Sequence, residues 1–147
     1  MSTETNKNVV RAVIEEAFNK GNLDVLDGLF APGYAEHQFG IKPTLEGMKK
    51  DIQSLRRSLP DLHLTIEDMI AESDKVWVRS TARGTNLGGF FGAPDGKSIE
   101  ITVYDSVRLE NGKIVEHWGV PDRFAVLAQL GKLPQPGKMA QPEALRG

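Results

Sequence analysis

The chain has 147 residues, the length of one compact domain with its own core. Its 18 Lys and Arg residues nearly balance its 20 Asp and Glu residues, so its net charge gives no reason to expect nucleic acid or an anionic membrane as a partner. The absence of cysteine excludes disulfides and thiolate chemistry. No apolar run approaches the ~20 residues that span a bilayer, and the start MSTETNKNVV lacks the features of a signal peptide, so we expect a cytoplasmic protein.

The first third of the chain has the 3.6-residue period of amphipathic helices, interrupted by glycine and proline at the expected ends. The stretch from residue 34 to 43 has no clear period. Three helices are predicted: one from Asn6 to Lys20, a short one from Asn22 that ends at Pro32, and one that begins at Thr44 and ends at Pro60.

From Leu62 onward the period changes from 3.6 to two, which is typical of strands. The last two strands meet at Asn111-Gly112, the strongest short-range signal for a β-hairpin. A glycine-rich loop separates the two strand pairs, and a closing helical turn is predicted over residues 124–130. The four predicted strands are 62–72, 75–85, 98–110 and 113–121.

Helices followed by a meander of long strands predict an α+β fold, in which a curved antiparallel sheet wraps around three N-terminal helices. Such a sheet can leave a cavity between its concave face and the helical layer. We predict a single domain over residues 1–131 and a Pro- and Gly-rich tail over residues 132–147.

The hairpin turn also predicts which side chains share a face. If Asn111 and Gly112 are the central residues of a type I′ turn, Glu110 pairs with Lys113, and the pairing can be counted back along both strands. Val107 then opposes Glu116 and Asp105 opposes Trp118 on the oily face, whereas His117 lies on the other face beside Ser106.

Three carboxylates, those of Asp105, Glu116 and Asp122, fall on this predicted apolar face. Buried and unpaired, they would be costly, so a pocket explains them better than a solid core does. Two structural alternatives stay open: an ion pair of Glu116 with Arg79 or Arg83, and a role of Asp122 as the N-cap of the final helical turn. Together with Trp118, the three carboxylates favour a ligand cavity.

Three segments, GNLDVLDGLFAPGYAEH, SLPDLHLTIEDMIAESDKVWVRSTARGT and GKSIEITVYDSVRLENGKIVEHWGVPDR, resemble the SnoaL-like polyketide cyclases of the nuclear transport factor 2-like superfamily. The resemblance covers residues 8–131. It implies a cone-shaped α+β fold and ring closure by intramolecular aldol condensation, without metal or cofactor. The family's catalytic aspartate at the end of the last strand matches Asp122, and its histidine or asparagine after the second helix matches His37.

To remove a proton α to a carbonyl, an aspartate must be a stronger base than it is in water. Apolar surroundings and a second carboxylate nearby both raise the pKa of an aspartate and so make it a stronger base. Trp118, Asp105 and Glu116 are the predicted substrate-binding residues, with Tyr34 and Phe90. Phe90 and Phe91 lie between glycines, either as a plug of the open end of the cone or as a lid over ligand.

Two functions remain open from the sequence. One is a cofactor-free acid/base enzyme of the cyclase or isomerase type, acting on a small apolar carbonyl compound with Asp122 as the base; related folds also include epoxide hydrolases. The other is a ligand-binding or dimeric scaffold protein that uses the same pocket without turnover. In either case we expect a homodimer formed through the outer sheet face, around Tyr104 and His117, and no metal site, since the three histidines are dispersed.

Overall fold

The computed structural model describes residues 2–133, so that almost all of the predicted tail lies outside the described residues. No helix within this range is long and apolar enough to span a membrane. The expected cytoplasmic location stays a prediction. The elements are α1 Thr3–Ala12, α2 Leu26–Leu29, β1 Phe30–Glu36, α3 Leu45–Ser58, β2 His63–Glu72, β3 Lys75–Thr85, β4 Ser98–Glu110, β5 Lys113–Pro121 and α4 Arg123–Gln129.

The three predicted N-terminal helices are present, and side-chain caps fix the starts of the two long ones. Ser2 accepts a hydrogen bond from the Thr5 N–H at 3.0 Å, so α1 begins earlier than predicted, and it continues as a π-helical segment over Val13–Asn19. Thr44 accepts from the Gly47 N–H at 3.0 Å and starts α3 as expected. The apolar stripes of both helices face the sheet.

The sheet has five strands in the order β1-β5-β4-β3-β2. The four predicted strands are confirmed almost residue for residue and form the antiparallel meander. The fifth, β1, was not predicted, because Pro32 and Gly33 inside it obscure its period of two; it is an edge strand that pairs in parallel with β5. The fold is α+β as predicted, and its sheet is mixed rather than wholly antiparallel.

The β4–β5 hairpin corrects the predicted register. Asn111 and Gly112 both have positive φ, at 51° and 76°, and Glu110 pairs with Lys113 as expected. One step later the register shifts, because β5 carries one extra residue around Val115, and Arg108 rather than Val107 faces Glu116. Since side chains alternate between faces, every residue of β5 beyond this bulge lies on the face opposite to the predicted one.

The two faces of the sheet differ in composition. We call the face that carries Val76, Val78 and Val107 the inner face; these residues are at most 5% exposed and lie among the buried residues of the core. We call the face that carries Trp77 and Tyr104 the outer face; about half of each of these side chains is exposed, 53% and 52%. The helices cover the inner face only in part, and a cavity lies between the two layers.

Candidate active site

The cavity has a volume of about 370 Å³ and is lined mainly by apolar side chains of α1, α3 and the inner face of the sheet. This size lies within the ~300–1,000 Å³ typical of small-molecule sites. Against this apolar surface, a few polar groups define any chemistry that the cavity can perform. The polar residues that line it are Gln38, Asp51, Asp105, His117 and Arg123.

His117 is the centre of a hydrogen-bonded array on the inner face. Its Nε2 lies 2.8 Å from Oδ1 of Asp105, and its Nδ1 lies 2.6 Å from Oε2 of Glu36. Both ring nitrogens therefore face carboxylates, and an imidazole that donates to both must be protonated. We call Glu36, His117 and Asp105 the acid–imidazole array.

The Glu36 end of the array is closed. The Glu36 side chain is only 1% exposed, and its oxygens also accept hydrogen bonds from the Tyr34 hydroxyl and the Gln38 backbone N–H, each at 3.0 Å. Burial raises the pKa of Tyr34, and the negative charge of Glu36 and the hydrogen bond to it raise it further, so the hydroxyl stays a donor. Glu36 is fully engaged and cannot reach a substrate.

The protonation of the array follows from its contacts. Burial by itself lowers the pKa of His117, but the hydrogen bonds to Asp105 and Glu36 and their negative charges outweigh it and raise that pKa from 6.5 to about 9. Burial raises the pKa of Glu36, but the hydrogen bond and charge of His117, followed by the Gln38 N–H and the Tyr34 hydroxyl, lower it overall. At neutral pH the array therefore contains an imidazolium ion between two acids.

The Asp105 end of the array is open to the cavity. The Asp105 side chain is 21% exposed, and within residues 2–133 only His117 donates a side-chain hydrogen bond to it, through Oδ1. Directly across the sheet stands Gly119, where a Cβ atom would collide with Oε1 of Gln38 and lie 2.7 Å from Oδ1 of Asp105. A glycine here is what allows the Gln38 carboxamide to lie against β5 beside Asp105.

Asp51 supplies a further carboxylate from the helical wall of the cavity. Its Oδ2 is buried and has no hydrogen-bond partner in the described structure. Its charge contributes to the raised pKa of Tyr34, which puts it on the Glu36 side of the array.

Within residues 2–133, no three His, Asp or Glu side chains converge in an arrangement that could hold a metal ion. The acid–imidazole array is linear, with the imidazole between the carboxylates rather than beside them. The arrangement can exchange protons with a bound molecule through Asp105, and the Gln38 carboxamide lies beside it with Oε1 over Gly119.

Three predicted site residues lie on the outer face instead of in the cavity. The bulge in β5 turns Glu116 and Trp118 outward, opposite Arg108 and Ser106. Glu116 forms an ion pair with Arg108 at 2.7 Å and a hydrogen bond with His37 at 2.9 Å, and the His37 ring stacks on Trp118 with 4.7 Å between ring centroids. The predicted ion pair of Glu116 was right in kind, but its partner is Arg108 rather than Arg79 or Arg83.

Asp122 also lies outside the cavity. Its side chain is exposed, and its Oδ1 accepts the Ala125 N–H at 3.0 Å as the N-cap of α4. This is the structural alternative that the sequence left open. The cavity wall at this point is formed by its neighbours Pro121 and Arg123.

The remaining predicted site residues lie partly in the wall of the cavity and partly in the core. Asp105 lines the cavity as expected, and Phe90 and Phe91 form part of its wall, Phe90 with 46% of its surface exposed. Tyr34 is 5% exposed and packs against Phe30 in the core, from where it acts on Glu36 rather than on a ligand.

The sequence alone missed His117, Glu36 and Gln38. His117 was assigned to the outer face by the uninterrupted register, and Glu36 lies on the strand that the sequence did not reveal. One signal was available: a glycine inside a strand, here Gly119, often marks a bulge or a close approach of another group.

A cone of helices and curved sheet around an apolar cavity with a few convergent polar groups defines a small-ligand-binding α+β fold. The model of the SnoaL-like polyketide cyclase family matches residues 8–130, and the chain belongs to this family. No curated protein sequence matches the chain.

Solved structures support the same assignment. IdmH from Streptomyces antibioticus, a proposed polyketide cyclase, is 34% identical, with a TM-score of 0.76, and the match covers 86% of this chain and 98% of IdmH. TsrD from Streptomyces laurentii is 27% identical with a TM-score of 0.82, covering 90% of this chain and 99% of TsrD. AclR from Streptomyces galilaeus, a proposed hydroxylase, is 28% identical with a TM-score of 0.81, covering 91% and 89%.

Proposed function

We propose that the protein is a cofactor-independent acid/base enzyme of the cyclase or isomerase type, which acts on a small apolar carbonyl compound bound in the cavity. The observation that supports this most is Asp105, an accessible carboxylate on the wall of an apolar cavity, held by a buried imidazolium. Related proteins described as cyclases share the fold. Asp105 takes the role that the sequence assigned to Asp122.

Asp105 acts as the base and then as the acid. Its free oxygen removes a hydrogen α to the substrate carbonyl as a proton, and the electron pair of the C–H bond passes into an enolate. In an aldol ring closure, the enolate carbon bonds to a second carbonyl carbon of the same molecule. The alkoxide that forms takes the proton back from Asp105, so the step consumes no external proton or electron.

His117 and Glu36 position the base rather than touch the substrate. The hydrogen bond from the His117 imidazolium to Oδ1 fixes the orientation of the Asp105 carboxylate, and the poor solvation of a carboxylate among apolar side chains is what favours its uptake of a proton. Glu36 in turn holds the imidazolium through Nδ1. The second carboxylate keeps His117 protonated at the pH of the reaction.

Gln38 is the hydrogen-bond donor for the enolate oxygen. Gln38 lines the cavity, and its Oε1 lies over Gly119 beside Asp105, so we assign the donor role to its other terminal atom, the Nε2 amide group. A fixed donor aimed at developing charge in a dry site lowers the barrier considerably.

The test is the exchange of the α-hydrogens of 2-tetralone, a bicyclic ketone, in deuterated buffer, followed by NMR. Wild-type protein should accelerate exchange, and Asp105→Asn should lower the enzyme-dependent rate at least ~100-fold, as expected for the loss of a general base. Asp122→Asn is the matched control: asparagine is an equally good N-cap, so the rate should stay within about a factor of two.

A large loss in Asp122→Asn with an unchanged rate in Asp105→Asn would overturn the assignment of Asp105. If wild-type protein binds 2-tetralone without accelerating exchange, the alternative of a ligand-binding protein without turnover is the correct one.

We also propose that a second copy of the chain covers the outer face. Large apolar side chains project from neighbouring strands there: Trp77 pairs across with Ser106, which pairs with Trp118, and Tyr104 pairs with Val120. Val120 is 69% exposed near the end of β5 and extends this group of apolar side chains. An apolar patch of this kind suits an isologous dimer. His117, assigned to this interface from the sequence, lies inside the cavity instead.

A further inference from the structure

We propose that Arg123 binds a carboxylate group of the substrate at the rim of the cavity, so that the substrate is an apolar carbonyl compound that also carries a free acid. This inference rests on the proposed function, because it takes the cavity to be the substrate site. It concerns recognition, and Arg123 takes no part in the proton transfers.

Arg123 lies where it can contact both the cavity and the solvent. It is the first residue of α4, directly after Asp122, and its side chain lines the cavity while remaining exposed to solvent. A group that contacts both the cavity and the solvent stands at the rim. A charged substituent bound there keeps part of its hydration while the apolar body of the ligand is buried.

The guanidinium group is held against the backbone of the 37–44 loop. A Cβ atom at Gly40 would lie 3.0 Å from Nη1 and 3.5 Å from Nη2 of Arg123, and Gly40 has a φ of +86° that side-chain-bearing residues rarely adopt. The glycine thus leaves space for the guanidinium group to lie close to the loop backbone. Because Gln38 of the same loop lies against Gly119, the Gln38 and Arg123 side chains both lie between this loop and the end of β5.

The electrostatics of the position also favour an anionic ligand. Among residues 2–133 Arg123 has no salt-bridge partner, and the adjacent Asp122 is engaged as the N-cap of α4. A positive charge in the first turn of a helix is locally unfavourable, so the helix gains nothing from it. Arg108 and Arg83, by contrast, are paired on the outer face.

The distribution of charge inside the cavity orients such a ligand. Asp105 and Asp51 line the interior and repel a carboxylate, whereas Arg123 at the rim attracts it. The acid group therefore stays at the rim, and the carbonyl end enters the apolar part toward Asp105. A guanidinium fits a carboxylate through two parallel N–H···O bonds, and this is the geometry we assign.

The test is the equilibrium binding of 2-naphthoate and of methyl 2-naphthoate, which have the same ring system and differ in the charged oxygen. Wild-type protein should bind the acid roughly threefold to tenfold more tightly than the ester at low ionic strength, as expected for a partly exposed ion pair. The preference should shrink toward one at 1 M salt, where charges are screened over ~3 Å.

Arg123→Gln should remove the preference for the acid, because glutamine keeps the polarity and most of the length of the side chain without its charge. Arg83→Gln is the control, since Arg83 is paired with Glu100 on the outer face, and it should leave the preference unchanged. An undiminished preference in Arg123→Gln, or none in wild-type protein, would overturn the inference.

The two proposals fail in different ways. Asp105→Asn should keep the preference for naphthoate, because the substitution changes the base and leaves Arg123 in place. Loss of the naphthoate preference in Arg123→Gln together with unchanged tetralone exchange in Asp105→Asn would support the carboxylate site and refute the catalytic role of Asp105. Binding of neither naphthoate nor ester to wild-type protein, together with accelerated tetralone exchange, would refute the carboxylate site and leave the catalytic role of Asp105 standing.

Discussion

His117 contacts Asp105 across β4 and β5, with 2.8 Å between Nε2 and Oδ1, because the bulge near Val115 shifts β5 by one residue. Without that extra residue His117 would point outward and Trp118 would point inward. One extra residue in β5 thus places the His117 imidazolium, rather than the Trp118 indole, in the wall of the cavity. The candidate active site depends on this exchange.

We predict that the free energy of unfolding falls with rising pH because of His117. Its pKa is about 9 in the folded protein and 6.5 in the unfolded reference, so the folded state binds more protons between these values. This contribution is complete below pH 6.5 and is lost as the pH rises through 9. It amounts to about 3 kcal/mol, taking ~1.36 kcal/mol for each pH unit. Urea unfolding between pH 6.5 and 9.5 measures it.

The controls for this pH dependence are two histidine variants. His117→Gln should flatten the profile, whereas His63→Gln, which removes an exposed histidine at the start of β2, should leave it unchanged. An equally steep profile in His117→Gln would contradict the assignment.

Glu36 makes a contribution at acidic pH. Because the pKa of Glu36 is lowered in the folded protein, the stability that it contributes is present above about pH 4.5 and is lost as the pH falls through its folded pKa.

A pair of glycine substitutions tests the packing of Gln38 on β5. Gly119→Ala would force a methyl group into Gln38 and Asp105, and we expect a loss of about 1–3 kcal/mol in stability together with weaker binding of 2-naphthoate. Gly28→Ala in α2 meets nothing within 4 Å, and it should be neutral or stabilise the protein by up to ~1 kcal/mol. Thermal unfolding compares them, and equal effects of the two variants would contradict the close approach at Gly119.

Charge introduced on the outer face should separate the proposed dimer. Val120→Arg would place an unpaired charge among the apolar side chains of the proposed interface, and burying an unpaired charge is strongly unfavourable. We expect a dimer for the wild-type protein and a monomer for this variant in sedimentation velocity experiments. Phe39→Arg is the matched control, since Phe39 is 91% exposed in the 37–44 loop, and it should remain dimeric. A monomeric wild-type protein would rule out the interface.

Much of the fold follows from the sequence because each signal is local. The period of two, the positive-φ turn at Asn111-Gly112 and the Thr44 cap each depend on a few adjacent residues, and they gave β2 to β5 and α3 with nearly correct bounds. The strand β1 was not predicted, because its partner in the sheet, β5, is about 80 residues away in the chain and because Pro32 and Gly33 interrupt the period of two in β1.

The site was predictable only in part, for a related reason. Asp105 was recognised because it is a carboxylate on an apolar face, and that face was assigned correctly from β4 alone. The partners of Asp105 depend on pairing between strands, where one bulge reverses the faces of Glu116, His117 and Trp118. For Asp122 the local explanation, an N-cap, was the right one.

The most direct test of this account is the protonation state of His117, measured by NMR of the ¹⁵N-labelled imidazole. Both ring nitrogens should carry protons at pH 7.5, the imidazole should titrate near pH 9, and Glu36→Gln should lower its pKa. A neutral, single-tautomer His117 at pH 7.5 that titrates near 6.5 would contradict the acid–imidazole array and the function built on it.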